Sequence, residues 1–157
     1  MIITKMLIKP KLKPKVCQGM LFDSGNDYRF SFVPVPFRPG VNKALTVDDL
    51  YTAYWVHSQP DYDGWENLTT YKRQISITAE NETRFYSVHF ADQSKDYPRN
   101  YGIEAVASPY YEKWLGAMLV LRTNPDGEPM TSGHEDILYI KELLHRYVYF
   151  LISKTIW

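Results

Sequence analysis

Two polar side chains, Ser87 and His89, form the best candidate for a reactive pair in this chain. They alternate with aromatic and aliphatic residues, so we expect them to share one face of a β-strand. Nucleophilic catalysis needs a nucleophile, a base within hydrogen-bond reach and a group that orients the base. Cys17 is the only thiol, and neither a G-x-S-x-G elbow nor a cysteine-protease signature is present. A Ser87/His89 or Cys17/His89 site therefore remains an alternative, in which a small enzyme or ligand-binding protein has a pocket around His89.

The sequence contains only partial matches to known metal-binding motifs and none to nucleotide-binding motifs. His134 and Glu135 open like the zinc motif H-E-x-x-H, but position 138 is Leu. The acidic stretch that starts at Asp61 hints at a calcium loop, but Lys72 stands where an EF-hand needs Glu. The glycine-rich patterns of dinucleotide and nucleotide sites are absent. The sequence thus predicts no metal site, identifies no cofactor and favours a protein that is not an enzyme.

Positive charge is concentrated at the start of the chain. Residues 1–15 contain no acid and five lysines: Lys5, Lys9, Lys11, Lys13 and Lys15. Although the net charge is zero, the rest of the chain is therefore acidic on balance. Such an arm suits contact with nucleic acid or another anionic surface, and Lys9, Lys11, Lys13 and Lys15 are the residues of the nucleic-acid alternative. The same lysines also suit a solvated arm or a protected edge strand.

Aromatic residues are abundant, with 13 Tyr, 7 Phe and 4 Trp. Tyrosine and tryptophan are enriched at protein interfaces, although rings also fill cores. Residues 147–152 are apolar almost all round a predicted helix, which indicates deep burial or contact with a partner. We expect the binding residues to be Tyr62, Trp65, Tyr147, Phe150 and Trp157.

Composition sets the class of protein. The chain has 157 residues, 45% of them hydrophobic and 23% charged, as in one soluble globular domain. We expect residues 1–15 to form an arm or edge strand and residues 16–157 to form the domain. The lone cysteine fits a reducing compartment, and no apolar run reaches the ~18 residues of a membrane span. An intracellular location, cytoplasmic or nuclear, follows as an expectation.

Two strand pairs and a central strand are predicted. Strands at residues 16–22 and 28–33 flank a turn, and the proline-rich stretch 33–40 reads as an extended loop. A second hairpin turns near residues 80–82, between alternating strands that carry Ile75 and Tyr86. Residues 115–121 are continuously apolar, as in a strand buried on both faces.

Two helices are predicted. One covers residues 46–56, with Thr46 as its N-cap. The other begins at Ser132, which has the capping-box spacing with Glu135, and runs to about residue 153. Between them, Asn124-Pro125-Asp126-Gly127 predicts a turn.

The predicted fold is α+β. A single domain should contain a mainly antiparallel sheet of about five or six strands, with a long C-terminal helix packed on one face. The leading functional hypothesis is a non-enzymatic binding or assembly module that acts through protein–protein contacts. It is expected to be a homo-oligomer whose partner is another protein or itself.

Overall fold

The computed structural model describes residues 15–23, 30–39, 45–47, 52, 55–57, 69–107 and 113–156. The strands are β1 (Lys15–Phe22), β2 (Ser31–Pro39), β3 (Leu45–Val47), β4 (Thr70–Ala79), β5 (Glu82–Ala91), β6 (Met118–Thr123) and β7 (Pro129–Met130). The helices are α1 (Tyr101–Ala107) and α2 (Ile137–Ile156), and a 3-10 turn, His134–Asp136, precedes α2.

All the strands join one antiparallel sheet in the order β3-β2-β1-β6-β5-β4, and β7 pairs with β6 beside β1. The α+β class and the antiparallel sheet are therefore confirmed. The predicted central strand is confirmed as well, although β6 begins at Met118 rather than at residue 115. Its residues Met118–Leu121 are fully buried, and their side chains alternate between two apolar clusters on the two faces of the sheet.

The β4–β5 hairpin agrees with the sequence prediction. Ala79 pairs with Glu82 across a two-residue turn in which Glu80 and Asn81 have φ values of 53° and 63°. Positive φ at both central positions defines a type I′ turn, whose twist matches that of the two strands. The strands then remain in register, without a bulge, from Ala79 back to Thr70.

The proline-rich stretch was predicted to be a loop, and this is wrong, because it forms β2 between β1 and β3. The carbonyl of Pro34 accepts a 2.9 Å hydrogen bond from the Trp55 indole rather than from β1. The N–H and C=O groups of one strand residue point the same way, so the missing N–H of Pro34 would also have faced away from β1. The proline therefore removes no bond of the β1–β2 ladder.

The predicted helix at residues 46–56 is also partly wrong. Thr46 lies in β3, paired with Arg38, so it is not an N-cap. Helical backbone is present at Thr52 and at residues 55–57. Pairing with β2 has therefore overridden the local capping signal of Thr46.

Helix α1 was not predicted, and a buried asparagine fixes its start. Asn100 Oδ1 accepts a hydrogen bond from the N–H of Ile103, as an N-cap does. Asn100 Nδ2 donates to the carbonyls of Phe22 at 2.8 Å and Gly116 at 3.1 Å. One side chain thus joins α1 to the end of β1 and the approach to β6.

The sheet separates two apolar clusters. The α2-side core contains Phe90, Trp114, Ile140, Leu144 and their neighbours between the sheet, α1 and α2. The opposite-face core contains Val35, Leu119 and Leu121, with Val56 and Tyr97 packed over them. Apolar side chains are therefore buried on both faces of the sheet, although the even-numbered residues of β4 from Lys72 to Thr78 are exposed.

Helix α2 begins at Ile137, so the predicted capping box is wrong. Ser132 Oγ instead accepts a hydrogen bond from the Arg122 N–H on β6. The carboxylate of Asp136 accepts one from the Gly133 N–H at 2.8 Å, within the 3-10 turn. Within the described residues, no helix is both long enough and apolar enough to cross a membrane.

Candidate functional site

The predicted pair Ser87 and His89 does lie together on the opposite face of the sheet. Ser87 Oγ is 3.1 Å from His89 Nε2, within hydrogen-bond distance. The strand register places His89 between Lys72 and Leu119. Ser87 and His89 are each only 2% exposed. The two side chains therefore form a buried hydrogen bond and do not line an open cleft.

The electrostatics of this pair do not favour catalysis. Burial, with a smaller contribution from the positive charge of Lys72, lowers the pKa of His89 to about 3. His89 is consequently neutral near pH 7, and so weak a base would accept a serine proton poorly. The pocket around His89 stays a prediction without support from exposure or basicity.

Cys17 is separated from His89 by an intervening strand. It lies on β1, and β6 runs between β1 and β5. Two strand spacings amount to about 10 Å, which is beyond hydrogen-bond reach. Its thiol instead contacts the carbonyl of Val35 at 3.5 Å, and burial raises the pKa of Cys17 to about 11. The Cys17/His89 dyad is therefore wrong.

A second buried histidine, His57, was not singled out from the sequence. Its Nε2 lies 2.9 Å from Thr70 Oγ1, and its ring is 5.9 Å from the ring of Tyr97. Burial lowers the pKa of His57. These contacts join sequence-distant segments, and no local pattern around His57 indicates them.

Most of the other predicted binding residues lie outside the described part. These are Tyr62, Trp65, Trp157, Lys9, Lys11 and Lys13, together with the side chain of Phe150. Tyr147 is half-buried and packs against the α2-side core, whereas Lys15 is exposed at the start of β1. The nucleic-acid alternative therefore stays a prediction. In the described part of the chain, no cluster of three His, Cys, Asp or Glu could hold a metal ion.

Sequence reasoning missed a buried ionic network at the start of α2. Asp136 is 0% exposed. Its Oδ1 is 2.9 Å from an Arg84 amino group and 2.7 Å from the Tyr86 hydroxyl, and Arg122 lies at 3.9 Å. Because Arg84 and Tyr86 precede Asp136 by 52 and 50 residues, no short motif reveals these contacts. The network connects the start of α2 to β5 and β6, so its role is structural.

The long edge strand β4 is the feature best suited to binding. Its ten residues pair with β5 on one side only, and none of the strands in the described residues pairs with its other side. We call that other side the outer edge of β4. A row of backbone donors and acceptors at a sheet edge is a template for another strand. Bulges and prolines, two devices that protect such edges, do not occur within β4.

The hairpin turn determines which amides face the outer edge. In a two-residue hairpin the residues that flank the turn form a hydrogen-bonded pair, here Ala79 and Glu82. Such pairs alternate along the ladder, so the odd-numbered residues of β4 bond to β5. The even-numbered residues therefore direct their N–H and C=O groups outward; they are Thr70, Lys72, Gln74, Ser76 and Thr78.

Comparison with family models, with curated proteins and with solved structures finds no match for this chain.

Proposed function

We propose that this protein is a non-enzymatic assembly module that forms a homodimer by pairing two copies of β4 along their outer edges. One observation carries the proposal, namely the ten-residue edge strand that has a partner on one side only in the described structure. Strand addition at an exposed edge is a recurrent mode of protein recognition, in which main-chain bonds supply affinity. A module of this kind acts through contacts between copies.

Antiparallel pairing about Gln74 uses the whole strand. With Gln74 opposite Gln74 of the other copy, Lys72 lies opposite Ser76 and Thr70 lies opposite Thr78. All five outward-facing residues then form hydrogen-bonded pairs, which gives about ten inter-chain bonds. The carbonyl of Lys72 also accepts a 2.8 Å bond from the Arg73 guanidinium, which has to share this oxygen or move aside in the dimer. The arrangement is two-fold symmetric, as most homodimers are.

Charge favours the antiparallel orientation. Lys72 and Arg73 are the only charged residues in β4, and both lie in its first half. Parallel pairing in register would place Lys72 directly opposite Lys72, which is destabilising. The antiparallel dimer separates these charges and brings Arg73 beside Ile75 of the partner copy. The distribution of charge along the strand thus selects one orientation.

Cross-linking at the proposed axis tests the dimer directly. Residues in a hydrogen-bonded antiparallel pair have Cα atoms about 5.5 Å apart, a spacing that suits a disulfide. Cys17 is buried and is the only native cysteine, so the background is low. We expect Gln74→Cys to form a covalent dimer on mild oxidation, measured by non-reducing electrophoresis.

Ser76→Cys is the matched control for this cross-link. Residue 76 and its copy would be offset by four residues, about 13 Å along the strand, so no bond should form. Equal cross-linking of the two variants would indicate random collision. Failure of Gln74→Cys to cross-link, together with a monomeric mass in native mass spectrometry, would overturn the proposal.

A proline variant measures the contribution of the edge. Ser76→Pro removes an outward N–H but no bond to β5, so the fold should persist. Each dimer would lose two hydrogen bonds, each worth about 1 kcal/mol. This loss raises the dissociation constant of the dimer about thirtyfold. Analytical ultracentrifugation of the wild type, with subunits of 18.4 kDa, and of Ser76→Pro and Ser76→Ala would show this. An unchanged dimer in Ser76→Pro would place the interface elsewhere.

A further inference from the structure

An apolar cavity of about 350 Å³ lies between β1, α1 and the first two turns of α2. It is distinct from the outer edge of β4. Its lining consists of Met20, Phe22, Phe30, Val106, Ile137, Ile140, Lys141 and Leu144. The volume falls within the range of roughly 300–1,000 Å³ that is common for small-molecule sites.

Burial of the lining residues defines a floor and a rim. Met20, Phe22, Ile140 and Leu144 are almost completely buried and form the floor. The other four residues are more exposed and surround the opening, among them Val106 on α1 and Lys141 on α2. A ligand would therefore place its apolar part against the floor and its other end beside Lys141.

The charge of Lys141 determines which ligand chemistry suits the cavity. Lys141 is exposed, and among the described residues that line the cavity it is the one ionisable side chain. Within the described residues, no carboxylate forms an ion pair with Lys141, since the neighbouring Glu142 is paired with Arg146 at 2.8 Å. An anion at the mouth would satisfy this ammonium group, whereas a second cation would be repelled.

We propose that this cavity binds a small anionic amphiphile, a molecule with a short aliphatic chain and a carboxylate. The chain fills the space above Ile140 and Leu144, and the carboxylate pairs with Lys141. Burial of the chain supplies most of the affinity, because the contribution of an exposed ion pair is small.

Octanoate and its neutral analogue 1-octanol are suitable probes. Isothermal titration calorimetry of the full-length protein should give saturable octanoate binding, with affinity up to about fivefold greater than for 1-octanol. Lys141→Gln should abolish that preference and leave 1-octanol binding unchanged, whereas Lys113→Gln, a control at another exposed lysine, should retain it. Equal octanoate affinity in the wild type and Lys141→Gln would overturn the assignment of the carboxylate.

A second variant tests the location of the site. Val106→Phe places a larger side chain at the rim and should reduce the binding of both probes at least tenfold. Circular dichroism and the thermal midpoint without ligand would verify that this variant is folded. Octanoate should also raise the midpoint of the wild type and of Lys113→Gln but not that of Val106→Phe. Absence of saturable octanoate binding to the wild type, or undiminished binding to folded Val106→Phe, would overturn the proposal.

Discussion

Replacing Asp136 by Asn should be among the most damaging conservative changes in this chain. Asn keeps the shape of the side chain, so the effect reports on charge and hydrogen bonding rather than on a cavity. The substitution weakens contacts to Arg84, Tyr86 and the Gly133 N–H at 2.7–2.9 Å and leaves the Arg84 charge without its buried partner. Breaking a buried ion pair on one side costs about 3–5 kcal/mol, a large part of the about 5–15 kcal/mol that stabilises a typical domain.

Glu82 provides a matched control, because it contacts the same guanidinium. It lies 3.1 Å from Arg84, but its side chain is 54% exposed, so water screens the interaction and can replace it. Urea unfolding followed by circular dichroism would give the free energy of unfolding for the wild type, Asp136→Asn and Glu82→Gln. We expect Glu82→Gln to lose only a small fraction of what Asp136→Asn loses. Equal losses in the two variants would refute the claim that burial gives the Asp136 contact its strength.

Three further predictions concern buried groups. The pKa of His89 is about 3 in the folded protein and about 6.5 in an unfolded chain. The unfolded state therefore binds one more proton between these values, so stability should fall as pH decreases from about 6.5 towards 3, by up to about 1.4 kcal/mol per pH unit. Cys17, 2% exposed and with its pKa raised to about 11, should react with iodoacetamide at pH 8 only after unfolding. Gly19→Ala would place a Cβ atom 2.5 Å from the Leu121 side chain in the opposite-face core, and urea unfolding should show a loss of about 1–3 kcal/mol.

Each of these three predictions has its own control or contradicting result. NMR titration should show a constant ring shift for His89 from pH 8 to pH 4.5, and a midpoint near 6.5 would contradict the burial argument. Rapid alkylation of Cys17 in the folded protein would show that its strand opens readily. Gly133→Ala approaches only the exposed carboxylate of Glu135, which can rotate away, so it should have little effect on stability. A greater loss there than in Gly19→Ala would contradict the packing argument.

The parts of the fold that sequence predicted well are those fixed by local patterns. Alternation on both sides of Asn81 predicted the β4–β5 hairpin, because residues that pair across a short turn are close in sequence. The continuous apolar run at Met118 predicted a central strand for a similar reason. The shared face of Ser87 and His89 followed directly from the two-residue period of a strand.

The parts that sequence missed depend on partners far along the chain. A proline-rich stretch can join a sheet if the position of each missing N–H faces away from the neighbouring strand. For Pro34 this direction depends on its pairing with β1, which is distant in sequence. Burial of His89 depends on the side chains that pack over its face of the sheet, among them Trp55 and Val56. Arg84 and Asp136 meet across 52 residues, and Asn100 reaches Phe22 across 78. The edge position of β4 was not predictable either, since a hairpin fixes only the pairing of its own two strands.

The pairing of β1 with β6 has a consequence for the order of folding. Met20 pairs with Val120, so about one hundred residues of chain must be closed into a loop before these strands meet. The β4–β5 hairpin closes a two-residue loop and can form within microseconds, whereas contacts of such high separation slow the rate-limiting step. We therefore expect pulsed hydrogen exchange to show protection of β5 amides before β1 amides. Strand β4, which we propose joins two copies, would then form early in folding, while β1 has not yet paired with β6.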